Sequence, residues 1–184
     1  MNKKILILLS FISAALVIAA TITSSQTGVK NPSTSVSWAH YYRDLKELTM
    51  QSDIIVVGKV VAARHFTDGN PPLAFNDYSF QVERVLKGAV NGAITVRQTA
   101  GVEDDPAFEL EDRLVLFLHD CTPDGITGVY YTLGGPQGRF IVNNGMVFSV
   151  SEVYPSINTA SHLNVYGQSE NQFIDMVQSY LKSP

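Results

Sequence analysis

The chain is almost without cysteine: Cys121 is the only one among 184 residues. No disulfide can form within it, so the fold must be held by burial, hydrogen bonds and ion pairs. Cys121 follows an apolar run ending at His119 and Asp120, and is expected to be a half-buried small residue. Clustered cations are also missing. Apart from Lys3 and Lys4, 11 basic residues face 17 acidic ones, a balance of −6. A nucleic-acid partner needs several cations to displace condensed counterions, so that class is disfavoured. Docking on anionic lipid through a basic face is disfavoured for the same reason. Catalytic signatures are absent as well. There is no G-x-S-x-G and no cysteine–histidine pair in a recognisable context. The glycines at 134, 135 and 138 lack the Lys-Ser/Thr and the following helix of a phosphate cradle.

What the chain does have begins at its start. Lys3 and Lys4 precede an uncharged apolar run, residues 5–22. This reads as a signal peptide or an N-terminal membrane anchor, with the bulk of the protein extracytoplasmic, either secreted or tethered to the plasma membrane. At roughly 18 residues the run sits at the lower limit for spanning a bilayer. Residues 23–37 are rich in Ser and Thr and form the expected linker. Trp38, Tyr41 and Tyr42 then cluster, either near a membrane interface or over one end of the domain.

Residues 38–184 carry the pattern of one β-rich domain. Tyr41, Leu45 and Leu48 predict a helix over 38–51. Residues 53–63 are β-branched and apolar on both faces, which predicts a long central strand buried over much of its length. Gly58 in its middle predicts a bulge. Further strands are expected near 76–85, with Tyr78, Phe80 and Val82 on one face, and over 93–99, 113–119 and 126–133. Asn143-Asn144-Gly145 joins two more, 139–142 and 146–150, in a hairpin. Ser169 and Gln172 form a capping box for a terminal helix whose stripe of Phe173, Met176, Val177, Tyr180 and Leu181 should dock on the sheet.

This order, a helix, at least five short strands with a glycine-bent first one, and a closing helix, suggests a small closed barrel. Residues 52–60 (SDIIVVGKV), 78–88 (YSFQVERVLKG), 114–118 (LVLFL) and 135–140 (GPQGRF) resemble the netrin-like, tissue-inhibitor-of-metalloproteinase-like module, and its exported prokaryotic versions most of all. The resemblance covers roughly residues 45–150. It implies an α+β fold, mainly β: an OB-like barrel with the N-terminal and C-terminal helices packed on it. The animal inhibitors chelate a protease zinc through an N-terminal Cys-x-Cys. This chain has none, so protease inhibition is not implied. The usual Gly-Glu before the Leu-Phe-Leu strand is here Glu111-Asp112.

No catalytic, cofactor-binding or metal-ligating residue is assigned, and no cofactor is expected. His119 and Cys121 share a strand face, but two ligands fall short of a zinc site. The acidic loop 100–112 is expected to be solvated. In a binding module its Glu103, Asp104, Asp105 and Glu109 are the candidate contacts for a cationic or protein partner. The leading expectation is a non-enzymatic module that binds a protein or small ligand outside the cell, through loops 66–76, 100–112 and 151–167. One rival is a hydrolase built on Asp104, Asp105, Glu109 and His119, which requires these groups to converge. Another is a structural surface subunit, which requires a large exposed apolar patch or a self-associating edge strand.

Overall fold

The computed structural model describes residues 40–102, 104–150, 163, 165 and 167–183. The leader, the linker, Trp38, Glu103, His162 and most of loop 151–167 lie outside the described residues.

Helix α1 (Leu45–Gln51) starts later than its apolar spacing predicts. The backbone ahead of it is engaged elsewhere. Both the N–H and the carbonyl of Tyr42 bond to the side chain of Gln137, and the N–H of Arg43 donates to Glu47. Asp44 has extended backbone and caps the helix by accepting from the Glu47 N–H at 2.8 Å.

Among the described residues eight strands form one sheet. They are β1 (Ile54–Asp68), β2 (Leu73–Lys87), β3 (Ala93–Thr99), β4 (Arg113–Asp120), β5 (Val129–Thr132), β6 (Arg139–Asn143), β7 (Met146–Ser149) and β8 (Gln168–Ser169). The protein is thus mainly β, with α1 and α2 (Glu170–Lys182) attached, as expected for an α+β chain. The pairings β1–β2, β2–β3, β3–β5, β5–β4 and β4–β1 run in a ring, antiparallel except for β3–β5. Strands β6, β7 and β8 extend the sheet outward from β4.

Strand β1 is buried on both faces only as far as Val60; residues 61–68 run out as an arm with β2. The cause is the partner's length, because β4 pairs with β1 no further than Lys59. Strand β5 is shorter than expected. The chain from Thr122 to Asp124 turns as a 3-10 helix, and left-handed Gly125 and Gly128 keep the preceding residues out of the ladder. The Asn144–Gly145 turn has the two positive φ angles, 50° and 74°, that its hairpin demands.

Alternation along β1 explains its apolar run. Ile54, Val56 and Val60 point to the same core as Tyr78, Phe80, Val96, Leu114, Leu116 and Leu118. Ile55 and Val57 point the other way, to a second core shared with Leu45, Leu48, Phe117, Phe140, Phe173 and Val177. Helix α2 therefore covers the side of the sheet formed by β1, β4, β6 and β7, with the Phe140 and Phe173 rings 4.9 Å apart. Its capping box forms as the sequence predicts. Arg113 at the start of β4 holds the first turn of α2 through a two-point bond to Glu170, at 2.6 and 2.8 Å.

Candidate functional site

Helices α1 and α2 lie over β1, β4, β6 and β7; on the same outer face further round, over β2, β3, β5 and the β1 arm, no described element covers the sheet, and a row of polar side chains crosses it. Register places Arg64 of β1 beside Asp77 of β2, Asp77 beside Arg97 of β3, and Arg97 beside Tyr131 of β5. Directly paired residues share a face, so the row is continuous. Arg97 grips Asp77 with both Nε (2.6 Å) and Nη2 (2.9 Å), and Arg64 adds Nη2 at 3.0 Å. Burial works against the charge of Asp77, but the bonds from Arg97 and Arg64 outweigh it and hold the carboxyl below the usual carboxylate range. Asp77, with a smaller contribution from neighbouring Tyr131, holds the Arg97 guanidinium firmly in its charged form.

One row further out, Phe66 pairs with Phe75. Both guanidinium groups lie over the Phe66 ring, at 4.9 Å for Arg64 and 4.8 Å for Arg97. One row inward, Ser79 and Thr95 face a cleft of about 250 Å³ whose wall also includes Ala62, Ala63, Arg64 and Asp77. The side chain of Arg64 is 72% exposed, whereas that of Arg97 is 14% exposed. The carboxylate is thus satisfied from within by one arginine, and the other presents its remaining N–H groups to solvent. This surface can recognise an anionic or hydroxyl-bearing group, with an aromatic wall beside it.

At the far end of the same face, His119 pairs with Tyr131. Its Nδ1 lies 2.8 Å from Asp53 and its Nε2 3.2 Å from Asp124. Burial pushes the imidazole pKa down, but hydrogen bonds to Asp124 and Asp53 overcome this and raise it. His119, His40, Tyr42 and Tyr131 line a second cleft of about 230 Å³. With both ring nitrogens engaged by carboxylates, the charged form of this histidine is favoured and neither nitrogen is aimed at a nucleophile. Cys121 is fully buried rather than half-buried, and burial raises its thiol pKa. Among the described residues no group of three His, Cys, Asp or Glu is arranged to hold a metal ion.

The acidic loop differs from its expected solvated form. Val102, Asp105 and Phe108 are buried, and Phe108 joins the core inside the ring against Tyr78. Asp105 turns inward to Arg139 at 2.6 Å, both side chains being 3% exposed. The Gln98 amide donates to the carbonyls of Asp105 and Pro106, both at 3.0 Å. Acidic side chains were read as solvent-facing, but burial of Arg139 recruits one of them. Asp104 is half-buried, Glu109 is exposed, and Glu103 is outside the described residues. The groups named for a hydrolase fall into separate networks: Asp105 belongs with Arg139, and His119 with Asp53 and Asp124.

Sequence reading did not single out Arg64, Asp77 and Arg97. The alternation of β2 already set Asp77 opposite in face to Tyr78, and β3 set Arg97 opposite to Val96. No protein-family model matches the chain, and no curated protein matches it.

Proposed function

We propose that this chain is an exported, netrin-like module with an OB-like barrel, and that it works by binding rather than catalysis. The ring of pairings with one parallel step, β3–β5, supports the barrel reading. The apolar residues 5–22 behind two lysines support export, with the leader either removed or kept as an anchor. The observation that carries the functional reading is the face of β1, β2, β3 and β5 that no described element covers. Its Arg64–Asp77–Arg97 row and the adjoining cleft form a preorganised polar surface with no acid, base and nucleophile set among the described residues. Its partner is a protein or small ligand outside the cell that brings a negatively charged or hydroxyl-rich group to Arg64, Ser79 and Thr95.

Photo-cross-linking on intact cells tests this. A cross-linking residue placed at Ser79 should capture a partner, and Arg64→Ala should abolish the capture. The same probe at Gln178 on α2 should capture nothing in common with it. Identical products from both positions, or none from Ser79, would reject the assignment. N-terminal analysis of the recovered protein reports whether the leader is kept.

A further inference from the structure

The arm of β1 has an open side. Beyond Val60, whose backbone bonds to Asp112 and Glu111, no described strand lies against the side of β1 away from β2, although β1 continues to Asp68. The direction of its free polar groups follows from the ladder. The Ala100 N–H donates to the Ala74 carbonyl at 2.8 Å, so Ala74 turns its backbone groups toward β3. Alternation then turns Phe75, Asp77 and Ser79 toward β1, where they meet Phe66, Arg64 and Ala62. The residues in between, Ala63, His65 and Thr67, send their N–H and C=O groups off the open edge. Such an edge is a template for another strand.

We propose that a second copy of this chain occupies that edge, β1 against β1 in antiparallel, with Phe66 on the twofold axis. This register sets His65 against Thr67 of the second copy, and Thr67 against its His65, so the outward backbone groups bond reciprocally. On the polar face it sets Arg64 opposite Asp68 of the other copy, twice by symmetry. The rows already built on that face continue without a break. The alternating charges of Arg97, Asp77 and Arg64 gain a carboxylate at their end, and the Phe75–Phe66 row meets its own image. The groups are equipped for this. Arg64 gives Asp77 only its Nη2, and Asp68 uses Oδ1 for the Gly69 N–H, leaving Oδ2. A shift by one residue in either copy takes Arg64 off Asp68 and breaks the aromatic row, so the charges select one register. The joined sheets form one face bearing two copies of the Arg64 cleft. The proposal does not depend on what that cleft binds.

Cysteine at position 66 reads the register directly, because residues paired on the axis bring their Cα atoms to about 4.5 Å where no hydrogen bonds link them. In the full chain, Phe66→Cys should give an intermolecular disulfide under mild oxidation, seen as a dimer band on a non-reducing gel. Leu73→Cys, at the tip of β2, should not. Arg64→Asp in the same background sets like charges opposite each other twice and should weaken association at least about tenfold. Arg64→Asp with Asp68→Arg restores opposite charges and should bring the band back. Two results would overturn the proposal: equal cross-linking at 66 and 73, or a Phe66→Cys dimer indifferent to the charge of residue 64. Monomeric wild type at every concentration in sedimentation velocity would overturn it too.

Discussion

The side-chain amide of Gln137 spans the backbone of Tyr42 at two points. Its Oε1 accepts the Tyr42 N–H at 3.0 Å, and its Nε2 donates to the Tyr42 carbonyl at 3.2 Å. The two residues are 95 apart in sequence, and Gln137 is completely buried. In a chain with one cysteine, this is how the segment entering α1 is tied to the sheet. It also fixes where α1 begins, since a residue whose N–H and C=O are both committed to a side chain cannot join the helical ladder.

Gln137→Ala leaves both backbone groups of Tyr42 without these partners and opens a void in the turn. Each buried orphan costs about 1–3 kcal/mol, so a loss of roughly 3 kcal/mol is expected in urea unfolding. Gln137→Glu keeps the acceptor but sets a buried carboxylate oxygen against the Tyr42 carbonyl, and should cost at least as much as Ala.

Arg139 and Asp105 play the corresponding part for the acidic loop. Arg139 also donates to the Pro106 carbonyl at 2.6 Å and stacks over Phe108 at 3.9 Å. Removing one member of a buried pair strands the other, so Arg139→Met should cost about 3–5 kcal/mol. Asp105→Leu combined with Arg139→Met removes both charges and should recover more than half of that. Equal losses in the single and double variants would show that packing of the loop, not the stranded charge, dominates. Thermal or urea unfolding of the set decides it.

Gly58 sits at a register shift between β1 and β2. A Cβ there would stand 2.2 Å from the Gln81 carbonyl oxygen and 2.7 Å from the Phe80 ring. The obstruction is backbone, which cannot swing aside. Gly58→Ala should therefore destabilise by about 1–3 kcal/mol, the usual range for overpacking, despite the better strand propensity of alanine. The Phe80 ring resonances should shift in NMR spectra.

The apolar strands, the terminal helix with its capping box and the Asn-Gly hairpin were legible because each is a local pattern with a short period. The polar face was not, for a reason visible in β1. Val60 pairs with Phe80 and Ala62 with Ser79, so Val61 is an extra residue. That bulge reverses the alternation, and even-numbered residues pass from the core side at Val60 to the open side at Arg64. A period of two read straight along β1 puts Arg64 on the wrong face. Gln137 and Arg139 were hidden differently. Their partners lie 95 and 34 residues away, and no linear spacing announces such pairs. Loop 100–112 was read from its charges, while the residues that matter for its anchoring, Val102 and Phe108, are isolated apolar ones.

His119 supplies a pH dependence whose sign can be worked out. Its folded-state pKa is raised above the ordinary value near 6.5, because bonds to Asp124 and Asp53 overcome the opposing effect of burial. A group with a raised folded pKa binds protons more tightly in the native state than in the unfolded one. Its contribution is complete below the unfolded pKa and is lost as pH rises through the folded pKa. The bridge that ties Asp53, just ahead of β1, to Asp124 in the β4–β5 turn should therefore loosen as pH rises through that raised pKa. An imidazole titration followed by NMR should place the His119 midpoint above that of a histidine in an unstructured peptide. Asp53→Asn and Asp124→Asn should each lower it, and the double substitution should bring it to or below the ordinary value, where burial alone acts. In wild type, amide exchange over residues 121–128 should quicken as pH rises through the His119 midpoint, beyond the ordinary increase of exchange with pH. His119→Gln should remove that extra step. If the step persists in His119→Gln, another group controls the turn, and the two carboxylates hold the imidazole without gating anything.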